Sequence, residues 1–131
     1  MDISEALGRK IPFASHLGVE LLERGDGRAR LRLTLRPELM NSFEAAHGGV
    51  VMTLLDIAMA VAARTRDPEA VGAITIEMKT SFLGPGNGTL LVDGVCLHLG
   101  RSVAFCEARA HDAEGKLAAT ASGTFMLRHA R

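Results

Sequence analysis

From Val50 to Ala63 every residue is apolar except Thr53 and Asp56, and neither Pro nor Gly interrupts the run. The pattern predicts one helix of about four turns, apolar nearly all round and therefore central in the fold. It is shorter than the roughly 20 apolar residues that a bilayer span requires. Elsewhere the chain alternates. Between Arg28 and Arg36, Ala29, Leu31, Leu33 and Leu35 interleave with arginines and Thr34, the signature of a half-buried strand. Ala73–Phe82 predicts a second, with Ile74, Ile76, Met78, Thr80 and Phe82 on one face and Thr75, Glu77, Lys79 and Ser81 on the other. Thr89–Leu99 carries apolar residues on both faces and reads as a central strand. Gly100-Arg101 turns it into Ser102–His111, and Asp112–Gly115 turns that into Lys116–Arg128.

The N-terminal part is less regular. Residues 2–10 pattern as a short amphipathic helix that Pro12 ends; Leu17–Leu22 reads as the first strand and Arg24–Gly27 as a turn. The order is helix, two strands, long helix, four strands. This predicts an α+β domain over residues 1–131, a six-stranded antiparallel sheet wrapped around one long central helix. At 131 residues such a domain can bury its own core without a metal or disulfide. Small residues in the last strand (Ala118, Ala119, Ala121, Ser122, Gly123) would let that helix lie close.

Charge narrows the partners. With 15 basic and 15 acidic residues the chain is formally neutral, and it has no Trp or Tyr, which argues against nucleic-acid and membrane-surface binding. The start, Met1-Asp-Ile-Ser-Glu-Ala-Leu, has no charged segment followed by an apolar one, so a cytoplasmic location is expected. Cys96 and Cys106 flank the Gly100-Arg101 turn and can meet across a hairpin; two small buried hydrophobes are the preferred reading. The basic face Arg28, Arg30, Arg32, Arg36 is a candidate landing site for a phosphorylated ligand, with an ordinary solvated face preferred.

Asp56 is the anomaly. A carboxylate amid apolar residues is costly unless partnered, and one stripped of water is a more reactive base or nucleophile. At the start of the same helix stand His47-Gly48-Gly49. The first backbone N–H groups there lack intrahelical partners, and two glycines remove the Cβ atoms that would hold a ligand away. Such an end can polarise a carbonyl whose oxygen becomes an anion during reaction. Asn41, six residues before His47, can add an amide donor. Gly48 and Asp56 lie eight residues apart, roughly 12 Å along the axis, so one carbonyl cannot touch both. Cooperation between them predicts a two-fold homodimer that shares its sites. Thr75 can hydrogen-bond Asp56 or orient a water. The remaining histidines, His16, His98, His111 and His129, show no metal-ligand spacing, and no Gly-x-Ser-x-Gly elbow occurs.

Asn41, His47-Gly48-Gly49 and Leu55-Asp56-Ile57-Ala58 at these spacings resemble the hotdog-fold acyl-CoA thioesterases of the phenylacetate-pathway (PaaI) type. The likeness extends over Leu17–Leu127 and includes Glu77–Pro85, Leu99–Ser102 and Ala119–Thr124. The resemblance implies hydrolysis of an acyl- or aryl-CoA thioester, with Asp56 as nucleophile or general base. It further implies that Asn41 and the Gly48 N–H hold the carbonyl, that His47 shapes the helix entry and that Thr75 stands where relatives place a water-orienting serine. A homotetramer built as a dimer of dimers follows from it, with no metal or organic cofactor, and Arg101 and Ser102 become candidates for the CoA nucleotide contact. Two other readings share the pocket. A hotdog hydroxyacyl-thioester dehydratase or hydratase would need a His beside the carboxylate, and only His47 of a partner chain is available. A non-catalytic acyl-CoA-binding module would tolerate loss of Asn41 or Asp56, yet both are present. Phe43, Met52 and Met59 are candidates for the acyl pocket.

Overall fold

The computed structural model describes residues 1–130. Its elements are helices α1 (Ile3–Leu7) and α2 (Pro12–Leu17), strands β1 (Glu20–Gly25) and β2 (Arg28–Thr34), a 3-10 turn (Pro37–Leu39) and helix α3 (Gly48–Arg64). Strands β3 (Ala70–Phe82), β4 (Thr89–Leu99), β5 (Val103–His111) and β6 (Leu117–His129) follow. The strands form one antiparallel sheet in the order β1-β2-β4-β5-β6-β3, and α3 packs across its inner face. This is the antiparallel sheet around one central helix that the pattern predicted, and the hotdog arrangement that the resemblance implied.

The N-terminus departs from expectation. Pro12 does not end a helix; it begins one, because a proline in the first turn gives up only an N–H that would be unpaired anyway. Gly8 and Gly18, both left-handed (φ 65° and 86°), close α1 and α2. Leu17 therefore ends a helix, and the first strand starts at Glu20 instead.

A second departure lies in β3. Its register against β6 slips between Thr75 and Glu77, leaving Ile76 as a bulge. The extra residue reverses the alternation. Thr75 pairs with the buried Phe125, and so faces α3 together with Met78, whereas Glu77 reaches Thr124 on the outer face. Simple alternation had placed Thr75 and Glu77 together.

The core lies between sheet and helix. On α3, Val51, Leu54, Leu55, Ala58, Met59, Val61, Ala62 and Ala63 are buried. Met52 is exposed, and Thr53, Asp56, Ile57 and Ala60 are only half covered. One face of the apolar helix is thus buried within the chain, and Asp56 lies along the other. The helix crosses β4 at Gly94, where a Cβ would overlap the Ala58 carbonyl oxygen and stand 2.6 Å from its carbon. Neither group is a flexible side chain that can move aside. Gly94→Ala is therefore expected to cost about 1–3 kcal/mol, read as a lower urea midpoint at unchanged slope.

Cys96 and Cys106 pair across β4 and β5, buried and unbridged. Burial and the neighbouring Cys96 push the Cys106 thiol up to about 12, which leaves it inert as a nucleophile. The basic face of β2 is largely neutralised: Arg30 binds Asp93 at 2.7 Å and Arg32 grips Glu20 through two nitrogens. Arg36 donates to the Leu17 and His16 carbonyls, tying α2 to the sheet. A solvated, paired face is what these arginines make.

Candidate active site

The segment before α3 is folded by Asn41. Its Oδ1 accepts from the Phe43 and Ala45 backbone N–H groups at 2.9 and 3.2 Å, which lets Glu44 adopt a left-handed φ of 62°. An oxygen accepting twice fixes the amide orientation, so Nδ2 must be the donor end. That nitrogen makes one long contact of 3.5 Å to the Ala46 carbonyl. His47 caps α3: its Nδ1 accepts from the Gly49 N–H at 2.9 Å, which places the ring proton of neutral His47 on Nε2.

This cap separates the two glycines. The Gly49 N–H is consumed by His47, whereas the Gly48 N–H has no partner among the described residues. A Cβ at Gly49 would stand 3.1 Å from His47 Nδ1, so glycine there protects the cap. At Gly48 a Cβ would meet only the Phe82 ring at an ordinary 3.5 Å. Asn41 and Gly48 line one cleft of about 300 Å³, together with Phe43, Val51, Phe82 and Pro85.

Asp56 opens onto a different cleft of about 230 Å³, beside Ile57, Ala60, Arg64, Val71 and Thr75. Thr75 Oγ1 donates to Asp56 Oδ1 at 2.6 Å, leaving Oδ2 unengaged among the described residues. The bulge at Ile76 makes this bond possible by turning Thr75 toward the helix. Within one chain, then, a helix start with an open N–H and a hydrogen-bonded carboxylate occupy separate clefts on one helix.

A family model described as the thioesterase superfamily matches residues 43–119, more than half of the chain. The chain belongs to the thioesterase superfamily. Its activity is thioester hydrolysis. Among relatives of this thioesterase, a provisionally named esterase of Halobacterium salinarum is 34% identical over 124 residues, covering 86% of this chain and 82% of its own. The acyl-coenzyme A thioesterase PaaI of Escherichia coli is 31% identical over 91 residues, covering 67% of this chain and 62% of that protein. A thioesterase family protein of Silicibacter pomeroyi superposes with a TM-score of 0.88 at 25% identity, covering 98% of this chain and 97% of that one. The Escherichia coli PaaI structure gives 0.85 at 22% identity over 95% and 89%, a likeness of fold.

Other predicted positions of the thioesterase fall elsewhere. Arg101 and Ser102 sit at the tip of the β4–β5 hairpin, outside both clefts. Phe43 is 87% exposed at the mouth of the Asn41 cleft, and Met52 is exposed on α3. Met59 is fully buried beneath Gly123, so as a pocket residue it is withdrawn. Conversely, Arg64 reads in the sequence only as part of a polar helix exit, yet it lines the Asp56 cleft. The exit pattern signals solubility, and only the fold reveals which side of the last turn faces the cleft. Among the described residues no three His, Cys, Asp or Glu side chains converge as metal ligands, and no helix is long and apolar enough to cross a membrane.

Proposed function

We propose that the thioester substrate is an acyl- or aryl-CoA, and that its carbonyl is held by Asn41 and the Gly48 N–H of one subunit while Asp56 of the other subunit drives hydrolysis. The observation that carries this reading is the division of the two half-sites between clefts about 12 Å apart along α3. Neither half suffices alone. Two antiparallel copies of α3 would set the start of one beside the middle of the other, twice.

The edge of the sheet suits such a pairing. β3 has a neighbour only on one side, runs for 13 residues and exposes Val71, Ile74 and Ile76. A long apolar edge left open is a pairing surface, and joining two β3 strands about a two-fold axis would also cover the apolar uncovered stripe of α3. For a homotetramer, the outer sheet face offers the exposed Phe105 and Met126. The reading takes residues 1–131 as one cytoplasmic hotdog domain without a cofactor.

The chemistry then runs on few groups. Asp56 acts as nucleophile on the carbonyl or as general base on water. In the general-base form, Oδ2 takes a proton from water as its oxygen bonds to the carbonyl carbon. Charge collects on the carbonyl oxygen, where the Gly48 N–H and Asn41 Nδ2 stabilise it. Collapse breaks the carbon–sulfur bond, and the thiolate, a good leaving group, recovers the proton. His47 contributes by holding the helix entry, and Gly49 by leaving room for that ring. Thr75 holds the Asp56 carboxylate in one orientation. Arg101 and Ser102 are left as contacts for the CoA nucleotide across a subunit boundary.

Free-thiol release from aryl-, short- and long-chain acyl-CoAs tests this. The wild type is expected to release thiol from at least one class. Thr75→Val is expected to be about tenfold slower in kcat, with Thr75→Ser near wild type because the hydroxyl is retained. Full activity in Thr75→Val would remove the residue from the mechanism.

A further inference from the structure

The cleft beside Asp56 has a basic end that the reaction does not use. Arg64, two turns beyond Asp56 on α3, lines this cleft with Arg9, and it also lines an adjoining cleft of about 260 Å³ with Arg24. Arg9 donates to the Val71 carbonyl, and none of the three guanidinium groups pairs with a carboxylate among the described residues. The Arg64 Nε is fully buried and finds no hydrogen-bond partner. Burial and repulsion from Arg9 and Arg24 push the Arg64 guanidinium below its ordinary value. Arg64 as a whole is half-buried, and a guanidinium with one buried, unsatisfied nitrogen beside two other cations is unfavourable unless something anionic completes it.

Between the two ends the walls are apolar: Ile57, Ala60, Val61, Val71 and Ala73. A chain starting at a carbonyl beside Asp56 and running along them would reach Arg64 after roughly 12 Å, the rise of eight helical residues. Guanidinium is a planar fork suited to a carboxylate. We propose that this cleft is the acyl channel and that Arg64, assisted by Arg9 and Arg24, receives the terminal carboxylate of a dicarboxylic acyl thioester. The inference rests on the reading that Asp56 is the hydrolytic carboxylate. A phosphate of the CoA moiety has the same charge but follows a long pantetheine arm, for which a cleft of this length is too short.

The test compares decanedioyl-CoA, whose extended chain matches that span, with decanoyl-CoA, and the same acyl groups on N-acetylcysteamine, which carries no phosphate. For wild type, kcat/KM is expected to favour decanedioyl over decanoyl about tenfold on both carriers, as a charge-assisted pair would give. Arg64→Gln, and separately Arg9→Gln, should collapse that ratio, chiefly through KM for the decanedioyl substrate. Because the ratio is internal to each variant, a loss of folded protein does not mimic the effect. A decanoyl preference in wild type, or a ratio untouched by Arg64→Gln, would overturn the proposal. So would an Arg64 effect equal for both acyl groups on CoA and absent on N-acetylcysteamine, which would assign the arginines to the CoA phosphates. Absence of thiol release from every thioester would instead sink the CoA-hydrolysis reading itself.

Discussion

Asp56→Asn is expected to lower kcat for acyl-CoA hydrolysis by about 10³-fold or more, with the fold and assembly unchanged. Asn preserves the shape of the side chain and still accepts from Thr75 through its amide oxygen, so the 2.6 Å bond that positions it survives. What disappears is the basic and nucleophilic oxygen. The change also removes a charge from the half-covered side of α3, away from the packed face of Leu54, Leu55 and Ala58. Loss of stability is therefore not expected, and thermal unfolding together with size-exclusion elution should match wild type. Turnover within tenfold of wild type would sink the assigned role. A deficit in folded protein would mean that Asp56 is structural.

Mixing two dead subunits should restore activity. Asn41→Ala is expected to cost about 10²–10³ in kcat, the usual loss on removing one oxyanion donor. In a hybrid of Asn41→Ala and Asp56→Asn subunits, one site combines the intact Asn41 of one chain with the intact Asp56 of the other. Its twin carries both lesions. Random assembly makes about half of the dimers hybrid, each with one site of two, so about one quarter of wild-type activity should return. Co-expression with two affinity tags isolates the hybrid directly. If Asn41 and Asp56 served one site within a single chain, the hybrid would remain as inactive as its parents.

Both expectations depend on details that differ in how far the chain's pattern discloses them. The long helix, the β4–β5–β6 meander and the turn at Gly100-Arg101 are governed by local periodicity and turn chemistry, and they are found where the pattern puts them. The N-terminus is not. Pro12 can stop one helix or start another, and the choice depends on Leu17 and Ala14 being buried and on Arg36 tying the Leu17 carbonyl to the sheet. Neither fact is local.

The candidate site shows the same division. Asp56 in an apolar run, Gly48 after His47 and Asn41 upstream are visible as anomalies of composition, because local rules disfavour them. Which glycine keeps a free N–H is not visible in the local pattern, where only the resemblance points to Gly48, since it depends on the His47 ring taking the Gly49 N–H. The Asp56–Thr75 bond is open in the sequence only as one option for Thr75, because alternation assigns Thr75 to the outer face and a one-residue bulge overrides it. Arg64 looks like any charged helix end until the cleft and the neighbouring Arg9 and Arg24 are in place.

By itself the sequence determined an α+β domain with a six-stranded sheet around one apolar helix, and the chemical types present at the helix's start and middle. Periodicity and backbone hydrogen bonding act over a few residues, and they suffice for that. Only the tertiary structure decided that Asp56 lies on the uncovered side of α3 with Thr75 bonded to it, and which residues line the clefts at Asp56 and at Gly48. Those placements follow from strand register, a bulge and the packing of Gly94 against Ala58, which couple residues distant in the chain.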